Sequence, residues 1–292
     1  MKKQVSLVLS SGGARGIAHI GIIEELEKQG FEIKSIAGTS MGALVGGMYA
    51  TGKLDVYKKW MCSLDKMDVF KLIDFTLSLN GLIKGEKILK EMKKMIPDRK
   101  IEDLSIPYSA IATDIVNGKE VVFESGSLYD AIRASISIPT VFKPFKKNGM
   151  QLVDGGVLNP IPINHIKRHD NDILIVVNVG ADKTWTPSHV EESLSEIDKK
   201  HNKYLTKIHE TINNIIPKNN TDKLGYYNLL NKTTSLMLQK ISEFTLEKYK
   251  PDILIEISKT AFGTYDFYKA NEIIDVGKNA AIQAITKFNA TK

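Results

Sequence analysis

The chain of 292 residues carries a single cysteine, Cys62. An intrachain disulfide is therefore impossible, and a cysteine-based zinc cluster is excluded. Histidine is also scarce: there are six, and no His-Glu-x-x-His pair occurs, so the zinc-hydrolase spacing is missing. No acidic twelve-residue loop of calcium-binding type is present, and no glycine turn ends in Gly-Lys-Ser/Thr. No metal and no cofactor are expected. Lysines and arginines never form a run long enough for a nucleic-acid arm, and no repeat or low-complexity tract stands out.

Long apolar runs are lacking too. Between Lys34 and Lys53 lie 18 uncharged residues, with Gly38, Gly42 and Gly46 spaced like a small-residue helix face. Ser35, Thr39, Ser40 and Tyr49 interrupt that stretch, and a buried turn and helix explain it better than a membrane span. At the N-terminus, Lys2 and Lys3 precede Val5-Ser6-Leu7-Val8-Leu9, which imitates a secretion signal. Its apolar core is too short and Gly12-Gly13 follows at once, so a strand is expected there. With one cysteine besides, the sequence reads as that of a cytoplasmic protein.

What is present is ordinary globular composition, 42% apolar and 25% charged, with 40 Lys+Arg against 34 Asp+Glu. The modest basic excess suits solubility and also suits peripheral contact with an anionic membrane surface. The length suffices for a large α/β domain. Val5–Leu9, a glycine loop, Ile17, Ile20, Ile23 and Leu26 at helical spacing, and Gly30 then Ile33–Ala37 compose a β-α-β unit with parallel strands. Helices are predicted over 55–71 and 86–95. Pro107–Ile115 and Glu120–Phe123 flank Asn117-Gly118, a hairpin signal. Ser127 is placed to cap a helix through Ser135, and a turn and helix are predicted from Asn159-Pro160-Ile161-Pro162. Ile173–Val179 and Ile253–Ile257 read as core strands, and a last helix as about 265–288. Residues 69–77, rich in Phe, Leu and Ile, form either a lid beside the site or a cap on the core. The whole chain, 1–292, reads as one domain, with 185–250 a helical insertion or elaboration within it.

The chemistry centres on Gly38-Thr39-Ser40-Met41-Gly42. Gly-x-Ser-x-Gly where a strand turns into a helix is the pattern of a nucleophile elbow. A serine hydroxyl needs a base, yet none of the six histidines sits in a triad context, and residue 40 comes too early for an α/β-hydrolase. Two other stretches offer what is needed. Gly12-Gly13-Ala14-Arg15-Gly16 exposes backbone amides near a helix start, an anion-binding concavity to which Arg15 adds positive charge. Asp154-Gly155-Gly156 puts a carboxylate at a strand end. Each has a simpler reading: Ser40 as a helix cap, the glycine loop as a nucleotide-phosphate turn, Asp154 as a turn residue.

Taken together and in this order, Val5 to Gly21, Gly38-Thr-Ser-Met-Gly42, Ala134-Ser-Ile-Ser-Ile-Pro139 with Phe142-Lys-Pro144, and Asp154-Gly-Gly156 resemble the patatin-like phospholipase family. The resemblance spans roughly residues 5 to 180. It implies an α/β fold, a three-layer α/β/α sandwich with a mostly parallel central sheet, to which the C-terminal helical insertion is added. It further implies a Ser40-Asp154 catalytic dyad and an oxyanion hole from Gly12, Gly13 and Arg15. Gly16, Gly38, Gly42, Gly155 and Gly156 support these motifs, and the implied substrate is a lipid ester. The family loop usually begins with three glycines, whereas this chain has Ser11-Gly12-Gly13. That departure sustains the alternative of a catalytically weak lipid- or membrane-binding protein that keeps the fold.

Overall fold

In the computed structural model, residues 3–72, 84–184 and 226–290 are described, the last stretch with side chains from Leu229 onward. The chain divides into two compact units, Met1–Lys183 with Leu238–Lys292, and Thr184–Met237. The first holds every motif named above. Its opening strand β1 (Lys3–Leu9) is a β-branched and leucine run with no exposed residue after Gln4, as suits a strand covered on both faces. A short 3-10 turn, Gly13–Ile17, feeds α1 (Ala18–Lys28), and Gly30, with φ of 82°, turns the chain into β2 (Phe31–Thr39). After β2 come α2 (Met41–Ala50), α3 (Leu54–Ser63), α4 (Lys66–Leu72) and α5 (Glu86–Met95). The hairpin β3 (Tyr108–Asp114) and β4 (Lys119–Phe123) follows, then α6 (Leu128–Ser135), β5 (Phe145–Lys147) and β6 (Met150–Asp154). Last come β7 (Ile173–Ala181), α7 (Tyr226–Tyr249), β8 (Ile253–Ser258) and α8 (Ala270–Ala290).

The sheet has eight strands in the order β5-β6-β3-β2-β1-β7-β8, with β4 paired to β3. Its centre, β3-β2-β1-β7-β8, is parallel, and β4, β5 and β6 join antiparallel. Strand alternation sorts the layers. Val8 points to one face, where Ile161, Ile163, Leu174 and Val176 are buried with it and Leu246 and Tyr249 of α7 pack against them. Leu9 points to the other, toward Gly46 of α2, and α1 packs along α8. Helices therefore cover both faces, the three-layer sandwich the sequence implied.

Three local expectations are corrected. The helix over 55–71 is two: the chain turns extended at Leu64, and Asp65 then caps α4 by accepting the amide of Asp68 at 2.7 Å. Past Pro162 there is only a 3-10 turn, Ile163–His165, because the chain turns extended at Ile166, which packs against the core beside buried Ile161 and Ile163. The last helix starts at Ala270, not 265, since Asp266 folds back to accept the amide of Gly263 at 2.9 Å and a 3-10 turn precedes the helix. Residues 73–83, most of the lid-or-cap segment, and 185–225, most of the insertion, lie outside the described residues; the end of the insertion is α7. Among the described residues no helix is long and apolar enough to cross a membrane.

Candidate active site

Strand register brings the two motifs together. The last residue of β2, Thr39, pairs with Ile111 of β3, and the last residue of β6, Asp154, pairs with the next residue, Ala112. β2 and β6 thus arrive from opposite directions along one edge of β3, and their ends meet. Ser40 steps off β2 with φ of 57° and ψ of −121°, a conformation an L-residue adopts only under constraint. Its hydroxyl donates to Asp154 Oδ2 at 2.5 Å, across 114 positions of sequence.

The elbow is held from three sides. The amide of Ser40 donates to Ser135 Oγ at 2.8 Å, and that hydroxyl donates to the Ile111 carbonyl at 2.6 Å. Thr39 Oγ1 donates to the Asn159 carbonyl at 2.8 Å, tying the elbow to the loop beyond the aspartate. Ser40 also begins α2, so the helix N-terminus faces the charge that attack would create. Small residues make this geometry possible. A Cβ on Gly42 would lie 2.2 Å from the Leu9 carbonyl oxygen, one on Gly38 would lie 2.5 Å from Gly42, and one on Gly155 would lie 2.2 Å from the Ile111 carbonyl oxygen.

Asp154 is buried, 6% exposed. Burial lifts its carboxyl from the ordinary value to about 6, opposed by the hydrogen bonds from Ser40 and from the amide of Gly156. The Gly156 bond, 2.7 Å to Oδ1, points Oδ2 at the serine. The amide of Asp154 donates to the Ser137 carbonyl at 2.9 Å. A carboxyl raised by burial and hydrogen-bonded to a serine hydroxyl is the arrangement that general-base activation of a nucleophile requires.

The glycine loop lies at the C-terminal end of β1, next to α2. A Cβ at Gly16 would meet Met41 at 2.4 Å. Gly13 has φ of 56°, and a Cβ at Gly12 would fall 2.2 Å from Val179 Cγ2. Among the described residues no protein acceptor takes the amides of Gly12 or Gly13. The Arg15 guanidinium instead donates to the carbonyls of Val179, at 3.1 Å, and Phe262, at 3.0 Å. Burial pulls it below its ordinary value, opposed by Asp266. With Ala14 donating its amide to Thr264 at 2.9 Å, Arg15 clasps the loop to the segment before α8. Sequence reading missed that segment, which carries no motif, and named Ser135 only as the end of a helix and a member of the Ala134–Pro139 stretch.

Ser11 keeps a negative φ and donates its amide to the Pro160 carbonyl at 2.9 Å. No glycine is required there. Ser11→Gly is accordingly expected to change kcat/KM for a short-chain p-nitrophenyl ester by less than about threefold, the conformational cost of a glycine in a held loop being small. A gain of tenfold or more would instead mean that the serine cripples the loop.

Among the described residues no histidine is hydrogen-bonded to Ser40. His19 is buried, held neutral by a value lowered to about 4, and bonds to the Ser10 carbonyl at 2.9 Å. His165 meets Glu120 at 2.7 Å, and the His169 amide donates to Asp172. His189, His201 and His209 lie outside the described residues.

Residues 7–166 match the family model described as Patatin-like phospholipase. An uncharacterized NTE family protein of Mycobacterium bovis is 32% identical over 337 residues, covering 98% of this chain and 92% of that protein. The lysophospholipase NTE1 of Debaryomyces hansenii is 29% identical over 299 residues, covering 99% of this chain but only 18% of its own length. Superposition on the crystal structure of VipD from Legionella pneumophila gives a TM-score of 0.48 at 14% identity, over 98% of this chain and 67% of that one.

Proposed function

We propose that this chain, which belongs to the patatin-like phospholipase family, cleaves acyl esters of phospholipids or lysophospholipids through Ser40 and Asp154. The observation that carries the reading is the 2.5 Å hydrogen bond from Ser40 Oγ to Asp154 Oδ2. Attack of Oγ on the ester carbonyl transfers the serine proton to Asp154. The tetrahedral oxyanion takes the amides of Gly12 and Gly13, with the α2 N-terminus behind them. Collapse breaks the bond to the leaving alcohol, which receives the proton from Asp154. Water then gives a proton to the ionised aspartate as it attacks the acyl-serine. Collapse breaks the bond to Ser40 Oγ, which takes that proton back from Asp154 as the fatty acid leaves. Arg15 acts here through its grip on the loop. The lysophospholipase name of the yeast relative supports lipid substrates, and the basic balance of the chain supports work at an anionic lipid surface.

A fluorophosphonate probe is expected to label the wild-type protein and to spare Ser40→Ala. Substituting His165 or His169 is expected to leave labelling intact. Persistent labelling of Ser40→Ala removes Ser40 from its role, and loss of labelling with either histidine replaces the dyad by a triad.

A further inference from the structure

The described residues line an open cavity of about 700 Å³ whose lining includes neither Ser40 nor Asp154. Three stretches supply its charged groups, and Gln151 of β6 completes the lining. Lys84, Leu89, Lys90 and Lys93 come from the entry and one face of α5; the face follows from helical spacing, since Leu89, Lys90 and Lys93 lie within one turn of each other. Tyr129 and Arg133 come from α6, and the run from Lys143 to Lys146 leads into β5.

The charge of this lining is lopsided. Six of its groups are cations and two, Glu86 and Asp130, are acids. Asp130 is already paired with Lys147 at 2.9 Å, and Lys93 with Asp98 at 3.6 Å. Lys84, Lys90, Lys143 and Lys146 form no ion pair among the described residues, although salt bridges are plentiful elsewhere on this surface. At the base lies Arg133, only 7% exposed. Its guanidinium donates to Ser137 Oγ at 2.5 Å, to the Lys143 carbonyl at 3.0 Å and to the Lys84 carbonyl, and it sits 5.8 and 5.9 Å from the rings of Phe142 and Phe145. Arg133 thereby ties the two lysine-bearing walls together and holds the positive charges in one concavity.

Like charges gathered in a hollow raise the local potential and draw an anion. The donors approach from three walls, so they suit an acceptor with oxygens on several sides. Phosphate presents a tetrahedron of oxygens, whereas a carboxylate presents two in one plane, and lysine is a compact point charge matched to phosphate. Leu89, Tyr129, Pro144 and Phe145 add apolar wall for an organic body. We propose that this cavity binds a phosphate group carried on a glycerol-sized organic body, presented as a phospholipid headgroup or as a soluble phosphate ester. Arg133 also links it to the dyad, because the Ser137 it bonds accepts the amide of Asp154.

Binding is measured on Ser40→Ala, which keeps any hydrolysis out of the readout and makes the result independent of the hydrolase reading. One arm titrates sn-glycerol 3-phosphate by calorimetry; the other sediments the protein with phosphatidylglycerol vesicles, both at about 0.1 M salt to screen diffuse attraction. Adding Lys90→Glu with Lys143→Glu is expected to weaken binding at least tenfold. Lys53→Glu, an exposed lysine outside the cavity, is expected to leave it unchanged. Binding in the calorimetric arm identifies a soluble phosphate ester as a ligand, and binding in the vesicle arm alone identifies a headgroup. The proposal is overturned if neither probe binds, or if Lys53→Glu weakens binding as much as the cavity pair does. Circular dichroism verifies that the charge-reversed protein is folded.

Discussion

Asp154→Asn is expected to lower ester turnover by about 10⁴-fold, as loss of a nucleophile's base does, and at the same time to raise the melting temperature. The two effects have one cause. Asp154 is buried, and burial lifts its carboxyl to about 6, above its value in an unfolded chain. Below the unfolded value both states hold the proton and the aspartate costs nothing. As pH rises through the folded value, the native protein must carry a buried charge that the unfolded chain carries in water, and stability falls. Above that window the cost is on the order of 3 kcal/mol. Asparagine has the same shape, accepts the Gly156 amide and never ionises. At about pH 8 its melting temperature is expected to exceed that of wild type by roughly 5–10 °C, and at about pH 4 the difference is expected to close. Turnover by wild type is expected to climb through about pH 6 with a one-proton dependence, because only the ionised aspartate accepts the serine proton. A variant that loses activity without gaining stability at high pH would show that burial does not raise the native carboxyl above its unfolded value.

Gly42→Ala carries the second large effect. The added methyl group would sit 2.2 Å from the Leu9 carbonyl oxygen and 2.7 Å from that of Ser10. Both are backbone at the C-terminal end of β1, the central strand, and neither yields as a side-chain tip would. Relief requires α2 to slide away from the sheet, and Ser40 and the amides of Gly12 and Gly13 are all attached to the parts that would separate. A loss of about 3 kcal/mol or more is expected, typical of overpacking against an unyielding neighbour, along with loss of activity at temperatures where the variant is still folded. Gly118→Ala makes the comparison: Gly118 has φ of 63° but nothing within 4 Å of its Cβ position. It is expected to cost only about 1 kcal/mol, from backbone strain alone, with turnover unchanged. Urea denaturation of both variants separates the cases.

Much of this molecule was legible because its signals are local. The strand at Val5–Leu9, the hairpin at Asn117-Gly118 and α5 over 86–95 follow from apolar patterning and turn chemistry. The cap at Ser127, which accepts the amide of Asp130 at 3.1 Å, follows from its hydroxyl. The elbow at Ser40 was equally visible, since a serine between glycines at a strand-to-helix junction has few other uses.

Its partner was a matter of motif order until the sheet was seen. Nothing near Asp154 in the sequence says which serine it meets; that is decided by β3, whose consecutive residues Ile111 and Ala112 pair with the ends of two strands more than a hundred positions apart. The same holds for Arg15, which sequence reading sent to the oxyanion and the structure bonds to two carbonyls, and for the cations that α5, α6 and the approach to β5 gather around Arg133. Residue types and their local spacing determine which elements form and which groups are chemically able. Which of those groups touch depends on register and packing between segments far apart in the chain, where no short-range preference acts, and only the folded sheet supplies that.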